Sequence, residues 1–255
     1  VRKKNKSMLY LPVTRNREIF MAKYEAVEVV TFKERQNRFI ATCVKPDGKE
    51  IVTHVKNTGR CKELLIPGVE VGVNFQDKAT RKTKYDLVAV KKQDAWFNID
   101  SQLPNKLVEE GIKQNLIKFD ILKGTIKSYK REFTHGDSRF DFLIETDKDE
   151  KLLLEVKGMT LEENGHGSFP DAPSVRALKH VSGLVKAKEE GYLGAVLFVV
   201  QFETIDYATI NKEMQPELQL AFEKAINSDI EVCAYNCIVS PDTVKLNKKV
   251  PFKLI

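Results

Sequence analysis

The sequence predicts an α+β chain in two parts: a small OB-like β-barrel over residues 1–100, then a mixed α/β sheet flanked by helices over residues 101–255. Two observations carry this. Short strand-like runs separated by turn residues fill the first hundred positions. Near residue 100 the texture changes, and helical stripes begin to alternate with apolar strand runs.

Residues 26–32 read as the first barrel strand. Residues 38–44 and 49–55 are two more, joined by Lys45-Pro46-Asp47-Gly48, a hairpin turn. Ile66-Pro67-Gly68 is another turn, after which Val69, Val71, Val73 and Phe75 alternate with period two. Residues 85–90 complete a set of five strands, which fits a small barrel of the OB type, a kind that often binds nucleic acid. Trp96 and Phe97 are expected to pack where the two parts meet.

Residues 103–117 carry Leu103, Leu107, Ile112 and Leu116 as a helical stripe. Strands follow at 124–133, 138–145 and 151–157. A helix over 175–188 has Val175, Leu178, Val181, Leu184 and Val185 on one face, and Gly191 ends it. Residues 193–202 form a buried strand, 216–227 a further helix, and 230–239 a last long strand.

With 42% hydrophobic and 31% charged residues, the composition excludes a disordered chain. The longest apolar run, residues 193–200, falls well short of the roughly 20 residues that cross a bilayer. No membrane partner is expected, and without a leader peptide the expected location is cytoplasmic. Net charge is +6, concentrated in the first hundred residues, where 21 Lys and Arg face 12 Asp and Glu. A basic end of this kind suits a polyanion or simply a soluble surface. Residues 1–20 read as an extension, with Met21 a candidate start. Cys43, Cys61, Cys233 and Cys237 show no metal spacing and are expected to be reduced and buried.

Two neighbouring strands hold the chemistry. In Ser138-Arg139-Phe140-Asp141-Phe142-Leu143-Ile144, strict alternation puts Arg139, Asp141 and Leu143 on one face and Phe140, Phe142 and Ile144 on the other. In Leu152-Leu153-Leu154-Glu155-Val156-Lys157-Gly158, Glu155 and Lys157 share a face. The polar turn 146–150 makes the two strands a hairpin, so Asp141 and Glu155 can meet. Paired carboxylates invite a divalent cation, and hard oxygen donors suit Mg2+ or Mn2+. Such an ion activates water and polarises a phosphodiester, while Lys157 stabilises developing charge. The pattern alone favours a plainer reading, a solvated sheet face with a cross-strand ion pair. Glu109 or Glu110, on the helix upstream, could add a further carboxylate.

Four blocks extend the case: Arg38-Phe39-Ile40-Ala41 with His54, Asn57-Thr58-Gly59-Arg60 and Pro67-Gly68; Arg81-Lys82-Thr83-Lys84-Tyr85-Asp86-Leu87; Ser138 to Phe142 with Glu155-Val156-Lys157; and Phe169-Pro170-Asp171-Ala172 with Arg176, Lys179 and His180. Together they resemble the sugar fermentation stimulation protein A (SfsA) family. The resemblance implies an N-terminal OB-like domain and a C-terminal domain similar to the PD-(D/E)XK nucleases. It implies sequence-nonspecific DNA binding linked to regulation of sugar metabolism. It assigns Asp141 and Glu155 as metal carboxylates and Lys157 as the catalytic lysine, with Glu110 the helix acid. Residues 130–136 depart from the family pattern, and Glu132 receives no role.

Arg38, His54, Asn57, Arg60, Arg81, Lys82, Lys84, Arg139, Arg176 and Lys179 are the expected DNA contacts, made through the phosphate backbone. Arg176, Lys179 and His180 fall at helical spacing and could share a face, either solvated or phosphate-facing. Asp171 reads first as a helix N-cap, and His166 as part of a glycine-flanked loop. A DNA-binding regulator and an active metal-dependent endo- or exonuclease are the leading functions. A nucleotide or sugar-metabolite sensor is disfavoured because no glycine-rich phosphate loop appears. Oligomeric state is not legible.

Overall fold

The computed structural model describes residues 8–10, 21–57, 59–77 and 79–255. Most of the basic segment before Met21 lies outside the described residues, as does Thr58. Two short strands come first, β1 (Leu9–Tyr10) and β2 (Ala22–Lys23). Next are β3 (Val27–Arg35), β4 (Ile40–Val44), β5 (Glu50–Val55), β6 (Glu70–Phe75), β7 (Tyr85–Lys92) and β8 (Ala95–Asn98). The remainder runs α1 (Leu103–Lys113), β9 (Ile126–His135), β10 (Ser138–Thr146), β11 (Lys151–Met159), β12 (Leu161–Glu163), β13 (His166–Phe169) and α2 (Val175–Glu189). It ends with β14 (Leu193–Val200), β15 (Tyr207–Ile210), α3 (Pro216–Asn227), β16 (Glu231–Val239) and β17 (Thr243–Val250).

Strands β3 to β7 form the barrel. Antiparallel pairing orders them β5-β4-β3-β6-β7, and a parallel pairing of β5 with β7, Thr53↔Tyr85 to Val55↔Leu87, closes the sheet. The hairpin between β4 and β5 turns on Gly48, whose φ of 84° is left-handed and favours glycine. Its N–H donates to the Lys45 carbonyl at 2.9 Å. In β6 the expected alternation holds for Val71 and Val73, yet Gly72 and Asn74 are buried as well. The second domain covers that outer face, for a Cβ at Gly72 would stand 2.9 Å from the Pro241 carbonyl oxygen.

The second domain is an eight-stranded sheet ordered β1-β9-β10-β11-β14-β16-β17-β2. Its centre, β11-β14-β16, is parallel, and both faces are covered by helices, which is why these strands are apolar throughout. On one face α1 packs Leu107, Val108 and Ile112 against Phe142, Ile144, Leu152 and Leu154. On the other, α2 and α3 pack Val181, Leu184, Leu218 and Phe222 against Leu143, Leu153, Val196 and Phe198. Pro104 and Pro216 sit in first turns, where a missing N–H costs nothing. Gly191, at φ 89°, follows α2.

Several expectations change. β1 and β2 precede the barrel in the chain but pair with β9 and β17 of the large sheet, so residues 1–100 are not barrel throughout. The cap of α2 is Ser174, whose side chain accepts the Ala177 N–H at 3.1 Å, and not Asp171. His166 lies in a strand rather than a loop, since β12, β13 and β15 form a small third sheet. Its ring stacks on Tyr207 with centroids 5.2 Å apart.

One continuous apolar cluster runs from the barrel interior to the α2–α3 face. It crosses between the domains where Phe97 stacks on Phe202, centroids 4.5 Å apart and planes 24° from parallel. Beside that contact Asn98 N–H donates to the Gln201 carbonyl at 2.9 Å, and Gln201 Nε2 donates to Asn98 Oδ1 at 2.8 Å. Trp96 is half-buried next to it. The four cysteines are buried and unpaired, and burial pushes the Cys43 thiol up to about 11 and that of Cys61 up to about 12. Neither is set up as a nucleophile.

Candidate functional site

Pairing of β10 with β11 runs from Glu145↔Lys151 to Phe142↔Leu154. One further step sets Asp141 opposite Glu155. The ladder stops there, and Asp141 Oδ2 accepts the Val156 N–H at 2.8 Å instead. Side-chain alternation breaks at the same place. Phe140 packs in the core on the α2 side, whereas Phe142 and Ile144 pack on the α1 side, so the three do not share a face as expected. Glu132, across from Asp141 on β9, has φ 56°, a left-handed value inside a strand. The backbone thus turns at Asp141. That frees its second oxygen, Oδ1, to accept from Asn105 Nδ2 at 2.8 Å, in the first turn of α1.

Glu155 is 1% exposed. Its Oε1 accepts from Lys157 Nζ and from His180 Nδ1 of α2. Its Oε2 is buried with no hydrogen-bond partner among the described residues. Burial pushes its pKa up, but the bond from His180 and the charge of Lys157 together outweigh burial and hold it below the ordinary glutamate value. Asp141 is driven the other way. Burial raises its pKa, the charge of Glu155 raises it further, and the bonds from Val156 and Asn105 with the charge of Lys157 only partly offset this. One carboxylate is held ionised and hampers ionisation of the other, a conflict that a cation between them would relieve.

Glu110 does not join this group. Five residues beyond Asn105, it is turned about 140° around the helix. It pairs instead with Lys113 at 2.6 Å. Glu109 is closer in phase to Asn105 but is held by the Tyr129 hydroxyl at 2.9 Å and Arg131 at 2.7 Å. Among the described residues no cluster of three or more His, Cys, Asp or Glu side chains forms a metal cage. The donor set is therefore two carboxylates. That fits Mg2+ or a similar ion, which commonly binds through one or two carboxylates and keeps several waters. The orphaned Oε2 of Glu155 is the oxygen such an ion would satisfy.

The basic residues sort into three groups. Arg81 and His54 converge on Asp86: Arg81 Nη1 donates to Oδ2 at 3.0 Å, and His54 Nδ1 stands 3.4 Å from Oδ1 without hydrogen-bond alignment. The charge of Arg81 is thus neutralised locally. Lys82, Lys84, Arg176 and Lys179 are exposed, and Arg139 is exposed but paired with Glu132 at 3.2 Å. His180 is buried, so it does not share a face with Arg176 and Lys179. Arg38 and Asn57 line a cleft of about 340 Å³ between the domains, whose far wall includes Gly158, Ser168, Ser174 and Gln201. Gly158 directly follows Lys157 in β11, but Asp141, Glu155 and Lys157 are not among the residues that line the cleft. Asp171 Oδ2 accepts the Arg60 N–H at 2.9 Å, tying the barrel loop to the second domain. Arg35 braces the same loop by donating to the carbonyls of Arg38, Asn57, Gly59 and Arg60 at 2.6–3.0 Å.

Asn105 and Arg35 carry no sequence signal that separates them from ordinary polar residues. His180 did carry one: it interrupts the apolar stripe of Ala177, Val181 and Leu184, where a polar ring needs a buried partner.

A closed OB-type barrel joined to a mixed sheet, with an acid and Glu-x-Lys on one hairpin, defines a two-domain protein with an N-terminal OB barrel and a C-terminal mixed α/β sheet. Residues 34–99 match the SfsA N-terminal OB domain, and residues 102–243 match the sugar fermentation stimulation protein RE domain. A sugar fermentation stimulation protein homolog from Enterococcus mundtii is 51% identical over 231 residues, covering 91% of this chain and 96% of the relative. One from Clostridium tetani is 46% identical over 222 residues, covering 86% and 94%. The solved structure of Pyrococcus furiosus SfsA in complex with Ca2+ superposes with a TM-score of 0.78 at 26% identity, covering 91% of this chain and 99% of that one. The chain belongs to the sugar fermentation stimulation protein A family. Among the described residues no helix is long and apolar enough to cross a membrane.

Proposed function

We propose that this chain binds DNA through its phosphate backbone, without sequence preference, and holds a divalent cation, Mg2+ or Mn2+, between Asp141 and Glu155. The observation that carries this reading is the buried, unpartnered Oε2 of Glu155 beside a second carboxylate whose ionisation it opposes. The Ca2+ in the Pyrococcus furiosus relative supports it. The bound ion would supply charge neutralisation for a phosphodiester. His180 and Lys157 keep Glu155 ionised for that ion, and Asn105 and Val156 N–H fix Asp141. Arg38 and Asn57 line the interdomain cleft and Arg60 lines the adjoining outer cavity, and these are the residues we assign to phosphate contact. The role in sugar metabolism that the family name carries would be exercised through this DNA contact.

Titration calorimetry with Mn2+ and mobility shift of duplex and single-stranded DNA test the reading. Glu155→Gln is expected to abolish Mn2+ binding and to leave DNA binding in EDTA intact. DNA affinity should fall linearly with salt on a double-logarithmic plot, by about 0.9 per phosphate contacted in a duplex. Wild-type Mn2+ affinity in Glu155→Gln would rule out the cation site. The presence of Lys157 on the same carboxylate favours a second reading, phosphodiester cleavage. Nicking of supercoiled plasmid that requires Mn2+ and disappears in Lys157→Ala is its expected signature, and nicking that survives the substitution counts against it.

A further inference from the structure

Two cavities share a wall. The outer one, about 520 Å³, is lined by Arg35, Asn37, Arg38, Arg60, Lys62 and Leu65 among others. It shares Arg38, Gly59, Ala172 and Pro173 with the interdomain cleft of about 340 Å³, whose lining also includes Gly158. Elsewhere on the barrel the cations are largely neutralised: Lys33 by Glu50, Lys45 by Glu28, Lys91 by Glu70, Arg81 by Asp86, and Lys92 by Glu162. No acidic side chain among the described residues pairs with Arg38, Arg60 or Lys62. Asp171, the acid on the inner wall, is turned to the Arg60 N–H.

Phe39 follows Arg38 in the chain and is 50% exposed. Its backbone is fixed: Asn37 Oδ1 accepts the N–H groups of Phe39 and Ile40 at 2.8 and 3.1 Å, and the Phe39 carbonyl accepts the Val55 N–H at 2.8 Å. An aromatic ring held in solvent beside an unpaired guanidinium is the stacking platform that unpaired bases use.

We propose that the ligand of this groove is a single-stranded polynucleotide. Its bases stack on Phe39, its phosphates meet Arg38, Arg60 and Lys62, and the strand passes from the outer cavity into the interdomain cleft. The proposal rests on the nucleic-acid reading above and narrows its substrate class. Size decides between strand and duplex. The inner cleft, about 340 Å³, has the volume of a small-ligand pocket, enough for an unpaired nucleotide and too little to admit a duplex.

Fluorescence anisotropy in EDTA, with labelled oligo(dT), oligo(rU) and a blunt DNA duplex of equal length, tests it independently of the metal. Oligo(dT) or oligo(rU) is expected to bind about tenfold or more tighter than the duplex. Phe39→Ala is expected to lose about tenfold for the single strands, with unchanged duplex affinity, melting temperature and Mn2+ binding. Lys62→Ala should lower the salt slope for the single strand by about 0.7. Tighter binding of oligo(dT) or of oligo(rU) identifies the sugar, and equal binding of both supports a strand read without regard to the sugar. Duplex binding as tight as single-strand binding overturns it, as does an inert Phe39→Ala, and both leave the broader reading in place. Failure of all three ligands to bind at low salt overturns both.

Discussion

Asp141→Asn separates a cation site from a structural ion cluster. The amide keeps the shape of the carboxylate and removes its charge. Both hydrogen bonds survive the change: the remaining oxygen can accept the Val156 N–H, and Asn105 can turn its own amide so that its oxygen accepts from the new one. Because the Asp141 pKa is raised, its ionised form is disfavoured in the folded protein, and removing the charge should leave the metal-free stability equal or higher. The cation response should vanish. At a free ion concentration of about a hundred times Kd, binding stabilises the wild type by about 2.7 kcal/mol. For a chain of this size that is about 5–10 °C of melting temperature. Differential scanning fluorimetry with and without Mn2+ reads both effects. A variant that keeps the wild-type Mn2+ shift refutes the assignment of Asp141 as a ligand. A variant that melts several degrees lower without Mn2+ shows instead that the charge of Asp141 holds the fold.

His180→Ala removes one of two donors from a buried carboxylate and is expected to cost about 1.5–3 kcal/mol in urea denaturation. The stability that Glu155 adds is fully present above its ordinary pKa and is lost as pH falls through its lowered folded value. Loss of His180 raises that value, so acid unfolding should begin at higher pH; an unchanged acid midpoint would show that Lys157 alone holds Glu155. Phe202→Ala empties the contact with Phe97 and is expected to cost about 3–5 kcal/mol. By calorimetry it should split unfolding into separate transitions for barrel and sheet, and a single cooperative transition would mean the polar contacts of Asn98 and Gln201 suffice to couple them.

Much of the fold was legible because it follows from local chemistry. The turn at Gly48 and the apolar run of β11 each follow from a few adjacent residues. The meeting of Asp141 with Glu155 needed only period-two alternation and a short turn. Where a residue's environment depends on distant elements, local rules fail. Alternation could not place Phe140, because the turn of the backbone at Asp141 depends on the opposite strand and on Glu132. Glu110 looked like the natural helix acid, but helical phase and the Lys113 pair remove it and bring in Asn105. His180 was undervalued for want of its partner 25 residues away. β1 and β2, two residues each, are strands only because β9 and β17 receive them.

Those two short strands bear on how the chain is made. They leave the ribosome before the barrel, yet their partners Tyr129 and Val244 follow much later. The barrel can fold while they wait; β9 then takes β1, whereas the other margin of the large sheet stays open until β17 arrives to take β2. Open margins are where one chain adds to another. A chain cut just ahead of Val27 would keep every barrel strand and the whole carboxylate site, but it would uncover Ser128 and Tyr129 of β9 and Thr243 and Val244 of β17 on their outer sides. Such a chain should self-associate, although nothing near Glu155 has changed.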